Sequence, residues 1–185
     1  MTRPEKLETS VDLKKFVRTI QDFPKPGIAF RDITTLLADP NGLRRLLDVM
    51  LEAARPFDVD MVVGIEARGF ILGAALAAEL GTGFVAVRKP GKLPGPTAGI
   101  DYVLEYGSDR LEIHEGQVPP GTRVLLVDDL IATGGTALAA AQLLRDQAAH
   151  VALALFAIDL PDLGGMAALT AMGIPARAVM AFEAH

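Results

Sequence analysis

Short apolar runs alternate with longer segments of helical periodicity from residue 61 onward. The runs have the length of buried strands, and the segments between them repeat with the 3.6-residue period of a helix. The predicted strands cover 61–65, 83–87, 123–127, 151–158 and a stretch near 178–182. The predicted helices cover 69–80 and 135–148, with a short helix in the C-terminal tail. Strands that alternate with helices predict an α/β fold, in which a mostly parallel twisted sheet is flanked by helices.

The first 55 residues predict helices that precede the first clear strand. A helix that ends before Pro24 is predicted from apolar residues spaced i, i+3, i+4 and i+7, namely Leu13, Phe16, Val17 and Ile20. A second helix is predicted to start at Asp39-Pro40. Its inward-facing residues are predicted to be Leu43, Leu46, Leu47, Met50 and Leu51. We expect this N-terminal helical segment, about 5–55, to lie over or beside the sheet.

The middle of the chain predicts a long loop followed by a hairpin. Six of the 13 residues in 88–100 are Gly or Pro, which is typical of a loop. Two strands, 101–106 and 110–114, are predicted to form a hairpin around Gly107-Ser108-Asp109. Neither a linker nor an internal repeat interrupts the pattern, so we expect residues 1–185 to form a single domain.

Composition narrows the possible function classes. The chain has 185 residues and a formal net charge of -5, and half of its residues are apolar. That balance disfavours a disordered chain and a dedicated nucleic-acid binder, which normally carries a basic stripe. Cysteine is absent and the three histidines are far apart, which argues against a Cys- or His-based metal site. No apolar run is long enough to span a membrane, and the first ten residues lack a secretory core, so we expect a cytoplasmic protein with no membrane partner.

The strongest chemical motif is VLLVDDLIATGGTA at 124–137. A buried strand leads to Asp128 and Asp129, and the small-residue loop 132–136 then turns into a helix. Backbone N–H groups of such a loop, together with the partial positive charge of a helix N-terminus, favour a monophosphate. Two carboxylates would repel that phosphate, so the pair is predicted to accept hydrogen bonds from a ribose diol.

Two alternatives for this motif stay open on the residues alone. In the first alternative, Thr136 only caps the helix and the glycines only make a turn, with no ligand bound. In the second, the acidic pair binds magnesium. The first alternative is weakened by the acidic pair, because adjacent carboxylates at the end of a buried strand are costly without a ligand.

Cations follow two other predicted strands. Arg68 comes just after the strand at 61–65 and near a helix start, a position suited to phosphate or diphosphate, although a simple pair with Glu66 is the alternative. Arg88, Lys89 and Lys92 lie on the Gly/Pro-rich loop, and residues 80–100 contain no Asp or Glu. Such a loop can act as a cationic lid over a polyphosphate, or it is a solvated charge run.

Five ordered blocks now identify a resemblance. The motif DDLIATGGT resembles the signature of the type I phosphoribosyltransferases. The adenine-specific members of that family are similar in four further blocks: FPKPGIAFRDIT (23–34), GIEARGF (64–70), RKPGKLPG (88–95) and LEYGSDRLEIH (104–114). The resemblance implies transfer of a 5-phosphoribosyl group from phosphoribosyl diphosphate to adenine, giving AMP and diphosphate, in a homodimer. It also implies Mg²⁺, bound mainly through the substrate diphosphate and the ribose hydroxyls.

The resemblance also implies roles for individual residues. Asp128 and Asp129 would hold the ribose hydroxyls, and a carboxylate, Glu105, would be the catalytic acid or base. The 5-phosphate would bind to Ala132, Thr133, Gly134, Gly135 and Thr136. The diphosphate would bind to Arg68, Lys89, Lys92 and the Glu66–Ala67 peptide, which is often cis in such enzymes, with Arg88 contributed from a partner subunit. The adenine ring would lie against Ala29, Phe30 and Arg31.

Base specificity follows from the same resemblance. Related 6-oxopurine enzymes usually carry an Asp where this chain has Ala132, so Ala132 together with Glu105 favours adenine. Three alternatives stay open: a phosphoribosyltransferase for another base, a non-catalytic regulator that senses phosphoribosyl diphosphate, and a plain nucleotide-binding module.

Overall fold

The computed structural model describes residues 13–103 and 107–184, and a parallel β-sheet forms its centre. The strands are β1 (Arg18–Ile20), β2 (Phe30–Asp32), β3 (Met61–Ile65), β4 (Gly83–Val87), β5 (Thr97–Val103), β6 (Ser108–His114), β7 (Arg123–Ile131), β8 (His150–Asp159) and β9 (Ala176–Ala181). The α-helices are α1 (Thr34–Ala38), α2 (Pro40–Ala54), α3 (Gly69–Leu80), α4 (Gly135–Asp146) and α5 (Gly165–Ala171). Short 3₁₀ turns lie at Arg55–Phe57 and Pro161–Leu163.

The central sheet has the strand order β4-β3-β7-β8-β9, and every pairing in it is parallel. The side chains of successive residues in each strand point to opposite faces of the sheet. Val62 and Leu125 pack into the core that contains α2 and α3, whereas Val63 and Leu126 pack into the core that contains α4 and the β5–β6 hairpin. The predicted α/β class, with helices flanking a parallel sheet, is confirmed.

The most periodic elements occur where the sequence predicts them. Helix α3 spans the predicted range, and α2 begins at Pro40 after an Asp39 cap. The Asp39 carboxylate accepts hydrogen bonds from the backbone N–H of Asn41 at 3.0 Å and of Gly42 at 2.8 Å, which satisfies two donors of the first turn. Helix α2 lies against the sheet and α3, as expected for the N-terminal segment.

Three element predictions are wrong in part. Arg18–Ile20 is a strand that pairs antiparallel with β2, not the end of a helix, because tertiary pairing outweighs a four-residue helical pattern. Strand β7 continues past the predicted end at 127 to Ile131, so the two aspartates lie inside it, and Asp128 pairs with Phe156 of β8. Strand β5 begins at Thr97, so the loop is shorter and the hairpin longer than predicted, and Asp109 pairs with Tyr102 instead of sitting in the turn.

A buried carboxylate links the two strands of the β1–β2 ribbon in addition to their backbone pairing. Asp32 accepts hydrogen bonds from Arg18 Nη2 at 2.5 Å, from Thr34 Oγ1 at 2.6 Å and from the Thr34 backbone N–H at 2.9 Å. The Thr34 hydroxyl first, and then Arg18, lower the pKa of Asp32 from 3.8 to about 2. This carboxylate therefore anchors the strand that carries Phe30 and Arg31.

None of the helices in the described part of the chain has the length and apolar content that crossing a bilayer requires.

We expect the stabilising effect of the Asp32 charge to depend on pH. Because the pKa is lowered in the folded state, the contribution is present above about pH 4 and is lost as pH falls towards 2. Denaturant unfolding of D32N and the unmodified protein should differ in free energy by about 2 kcal/mol more at pH 7 than at pH 2. A difference that stays constant over this range would contradict the assignment. The control D48N, on the exposed side of α2, should change the unfolding free energy by less than about 0.5 kcal/mol.

Candidate active site

A cavity of about 330 Å³ opens at the carboxyl ends of β3, β4 and β7. Ligands of open parallel sheets bind at this edge, because the loops after neighbouring strands converge there. Most of the residues predicted to bind ribose phosphate or diphosphate line it. The lining consists of Glu66, Ala67, Arg68, Lys89, Asp128, Asp129, Leu130, Ile131, Ala132, Thr133, Gly134, Gly135, Thr136 and Ala137.

The acidic pair is positioned by β7 and by the start of α3. Asp129 is buried, and Arg68 Nε donates a hydrogen bond to its Oδ2. The first residue of α3 lies so close to β7 that a Cβ on Gly69 would sit 2.7 Å from the Val127 carbonyl oxygen and 3.0 Å from Asp128 Oδ1. Glycine at this position therefore brings the β3–α3 connection, and Arg68 with it, against the acidic strand.

The electrostatics of this pair are coupled. Burial, and next the negative charge of Asp129, raise the pKa of the Asp128 carboxyl well above its ordinary value. For Arg68, burial pulls the pKa down, but the attraction of Asp129 outweighs it and the net shift is upward. Arg68 therefore stays positively charged beside the cavity.

The loop 132–136 leads into α4 with free backbone donors. Gly134 is the N-cap, with φ of 87°, and no side chain in the described part of the chain caps the helix. The first N–H groups of a helix have no intrahelical partner, so the turn at Gly135 and Thr136 points donors at the cavity. The alternative in which Thr136 caps the helix is wrong, because Thr136 Oγ1 instead lies 3.3 Å from the Tyr102 hydroxyl.

The loop rests on the start of α5, a contact that the sequence did not reveal. A Cβ on Gly134 would lie 2.9 Å from the Cα of Gly165, and a Cβ on Gly165 would lie 2.4 Å from the Ala132 carbonyl oxygen. The Gly165 N–H donates to that same oxygen at 3.0 Å. Two glycines thus permit the backbone-to-backbone packing that shapes the loop.

The Glu66–Ala67 peptide is cis, and it lies beside the cationic loop. Glu66 accepts hydrogen bonds from Arg88 Nε at 3.2 Å and from the Lys89 backbone N–H at 2.9 Å. The alternative in which Arg68 pairs with Glu66 is therefore wrong. Arg88 also donates to the Lys92 carbonyl oxygen at 3.3 Å, and neither of these two side chains lines the cavity.

Lys89 enters the cavity with two partners from the hairpin that the sequence did not single out. Its Nζ donates to Asp109 and, at 2.9 Å, to the Tyr102 hydroxyl. Tyr102 and Asp109 are directly opposed across β5 and β6. The correct hairpin register places both residues on one face of the hairpin, whereas the register predicted from the sequence has Asp109 in the turn.

The residues predicted to hold a base lie beside the cavity and not in its lining. Ala29 is buried, and the ring centroid of Phe30 lies 5.8 Å from the Arg68 guanidinium carbon. Arg31 turns away and donates to the Glu183 carbonyl oxygen at 2.7 Å. The structure therefore places Phe30 next to a cavity residue but does not bring Arg31 to the cavity.

Glu105 lies outside the described residues, so its position stays a prediction. Within 13–103 and 107–184, no cluster of three or more His, Asp or Glu side chains is arranged to hold a metal ion. A divalent ion at the acidic pair would therefore take most of its oxygen ligands from elsewhere.

The chain matches known proteins over nearly its full length. The sequence model of the family described as phosphoribosyl transferase domain matches residues 32–161 of this chain. The adenine phosphoribosyltransferase of Bradyrhizobium sp. is 58% identical over 175 residues, which cover 95% of this chain and 98% of that protein. The crystal structure of adenine phosphoribosyltransferase from Thermoanaerobacter pseudethanolicus is similar with a TM-score of 0.90 and 43% identity, and covers 94% of this chain and 100% of that one.

A structure with bound molecules is also similar. The adenine phosphoribosyltransferase from Saccharomyces cerevisiae, in complex with an imino-altritol 1,6-bisphosphate and adenine, has a TM-score of 0.85 and 38% identity. The match covers 92% of this chain and 98% of that one.

The coupling of the two aspartates can be measured directly. In D129N the pKa of Asp128 should fall, because one of the two largest causes of its elevation is removed. It should stay above the ordinary value, since burial persists. Carbon-detected NMR titration of the aspartate carboxyls gives the value. An unchanged or higher pKa for Asp128 would show that the Asp129 charge does not act on it.

Proposed function

Because the chain belongs to the phosphoribosyltransferase family, we propose that it transfers the 5-phosphoribosyl group from phosphoribosyl diphosphate to adenine, giving AMP and diphosphate. It is thus a transferase of purine salvage. One observation carries the proposal: a single cavity combines an acidic pair, an uncapped helix N-terminus and two cations, in a chain with adenine phosphoribosyltransferase relatives over nearly its full length.

The ribose phosphate occupies the β7–α4 end of the cavity. The N–H groups of Ala132 to Thr136 bind the 5-phosphate, since they face the cavity without intrahelical partners. Asp128 and Asp129 accept hydrogen bonds from the two ribose hydroxyls. The separation of donors from acceptors along β7 and its loop orients the sugar along the sheet edge.

The diphosphate occupies the end near the cis peptide. Arg68 and Lys89 line this end, and Arg88 and Lys92 lie on the same loop as Lys89. Diphosphate carries more negative charge once it leaves the sugar, so these cations stabilise the leaving group more than the ground state. Arg88 is paired with Glu66 of its own chain. It reaches the diphosphate only if its guanidinium leaves Glu66.

The site fits a magnesium ion that the substrate brings. Mg²⁺ prefers six oxygen ligands, and the carboxylates of Asp128 and Asp129, with Glu66 at the other end of the cavity, are the acidic groups among the described lining residues that could supply some of them. The remaining ligands would be oxygens of the diphosphate, the ribose hydroxyls and water. When bound, the ion neutralises part of the charge of the departing diphosphate.

Adenine approaches C1 of the ribose from the side of β2. A bond forms from a purine ring nitrogen to C1, the C1–O bond to diphosphate breaks, and the electron pair leaves with diphosphate. The transition state has oxocarbenium character, as in glycoside chemistry. Of the three residues predicted to hold adenine, only Phe30, beside Arg68, is placed to pack against the base. Glu105 acts as the acid or base for the proton of the ring nitrogen.

The alternatives carry less support. A different base is disfavoured by the relatives, which are adenine phosphoribosyltransferases, and by Ala132. A sensor of phosphoribosyl diphosphate would need a nucleic-acid or protein surface, and a plain nucleotide module would not require the cationic loop. The single domain, the homodimer and the cytoplasmic location expected from the sequence stay predictions.

A panel of bases tests the function. With phosphoribosyl diphosphate, Mg²⁺ and adenine, the protein should form AMP and release diphosphate. Hypoxanthine and guanine should react at least tenfold more slowly, because Ala132 replaces the Asp that related 6-oxopurine enzymes usually carry in this loop. Chromatography of the nucleotide product and a diphosphate assay give both quantities. Faster turnover of hypoxanthine or guanine would overturn the choice of base, and tight binding without turnover would favour the sensor.

Glu105 is tested by E105Q. We expect kcat to fall on the order of 10²-fold or more, as for loss of a general acid or base. The dissociation constant of ribose 5-phosphate, measured by calorimetry, should stay within about twofold, since Asp128, Asp129 and the loop are intact. The matched control E115Q removes an exposed carboxylate at the end of the same hairpin and should leave both quantities unchanged. An unaltered kcat in E105Q would remove Glu105 from the mechanism.

A further inference from the structure

Lys89, which lines the proposed diphosphate end of the cavity, is already held by an anion of its own chain. Its Nζ donates to the Asp109 carboxylate and to the Tyr102 hydroxyl, at 2.9 Å for the latter. Asp109 also lies within 3.2 Å of that hydroxyl. The three groups form a closed cluster between the cationic loop and the β5–β6 hairpin.

The cluster is also joined to the proposed 5-phosphate end. The Tyr102 hydroxyl lies 3.3 Å from Thr136 Oγ1, in the first turn of α4. Tyr102 therefore touches one residue from each of the two anion sites. An anion bound to Lys89 would lie within reach of the same hydroxyl.

The pair is neither deeply buried nor a fully exposed surface pair. The side chains of Lys89 and Asp109 are 35% and 26% exposed, so solvent and ligands reach them. Hydrogen bonding to Lys89 lowers the pKa of Asp109, which keeps the carboxylate ionised at neutral pH. An ionised carboxylate therefore already contacts the ammonium group of Lys89.

We propose that Asp109 is an internal counter-anion of the diphosphate site, which occupies Lys89 in the free protein and is replaced there by the substrate's diphosphate. The inference rests on the proposed function. When Asp109 leaves, the Tyr102 O–H no longer donates to it and becomes a second donor to the diphosphate. When diphosphate departs as product, Asp109 recaptures Lys89, so the carboxylate weakens diphosphate binding and speeds its release.

The variant D109N tests the exchange. Removing one negative charge next to Lys89 should lower the dissociation constant of inorganic diphosphate, measured by calorimetry with Mg²⁺, by roughly three- to tenfold, a range that allows for solvent screening. The Michaelis constant for phosphoribosyl diphosphate should fall by a similar factor, and kcat should not rise. The conservative variant D109E keeps the charge and should restore values near those of the unmodified protein.

The matched control is D101N. Asp101 lies on β5 of the same hairpin, pairs with Arg110 at 3.0 Å, and is 75% exposed. Its replacement removes the same unit of charge and should change the diphosphate affinity by less than about twofold. A gain of affinity in D109N that D101N does not share supports the exchange.

Two results would overturn the proposal. An unchanged affinity in D109N means that Asp109 does not compete with diphosphate, and a weaker affinity means that Asp109 only holds Lys89 in place. Both are distinct from failure of the proposed function, in which the unmodified protein itself would bind no diphosphate and form no AMP. Because the expected effect is tighter binding, partial unfolding of the variant cannot imitate it.

Discussion

The contact between Arg68 and Asp129 is the interaction on which the geometry of the cavity depends. Asp129 is buried in the central strand β7, and a buried carboxylate requires a partner. Arg68 reaches it because Gly69 lets the start of α3 approach the β7 backbone more closely than any side chain would allow. The same contact brings a cation, an acidic pair and the loop after β7 to one edge of the sheet. A sugar that bears two anionic groups can bind along this edge.

Carboxylates balance the cations throughout this edge. Arg68 pairs with Asp129, Arg88 pairs with Glu66, and Lys89 pairs with Asp109. Such pairs hold the cations in fixed positions, and the exchange proposed above concerns the Lys89–Asp109 pair alone. A site that binds diphosphate and releases it as product benefits from this arrangement, since each of these three cations has a carboxylate in contact with it.

The local sequence predicts the helices and strands whose bounds depend on their own residues. It does not predict strand bounds that depend on pairing with another strand. Asp39 and Pro40 marked the start of α2, and the apolar run of Met61–Ile65 marked β3. The sequence pattern does not predict strand β1, because its residues Arg18–Ile20 are exposed and are extended only through pairing with β2. The apolar run predicts that β7 ends at 127, which is too early, since its last residues are strand only because β8 lies alongside.

The sequence by itself determined the fold class and the chemistry at the carboxyl end of β7. Apolar runs of strand length, an acidic pair and a glycine-rich turn into a helix are all read within a few neighbouring residues. Only the tertiary structure decided which charges meet. Arg68 pairs with Asp129 and not with its neighbour Glu66, and Lys89 meets Tyr102 and Asp109 through the register of a hairpin. Side-chain pairing across strands depends on register and on backbone packing, which local periodicity does not encode.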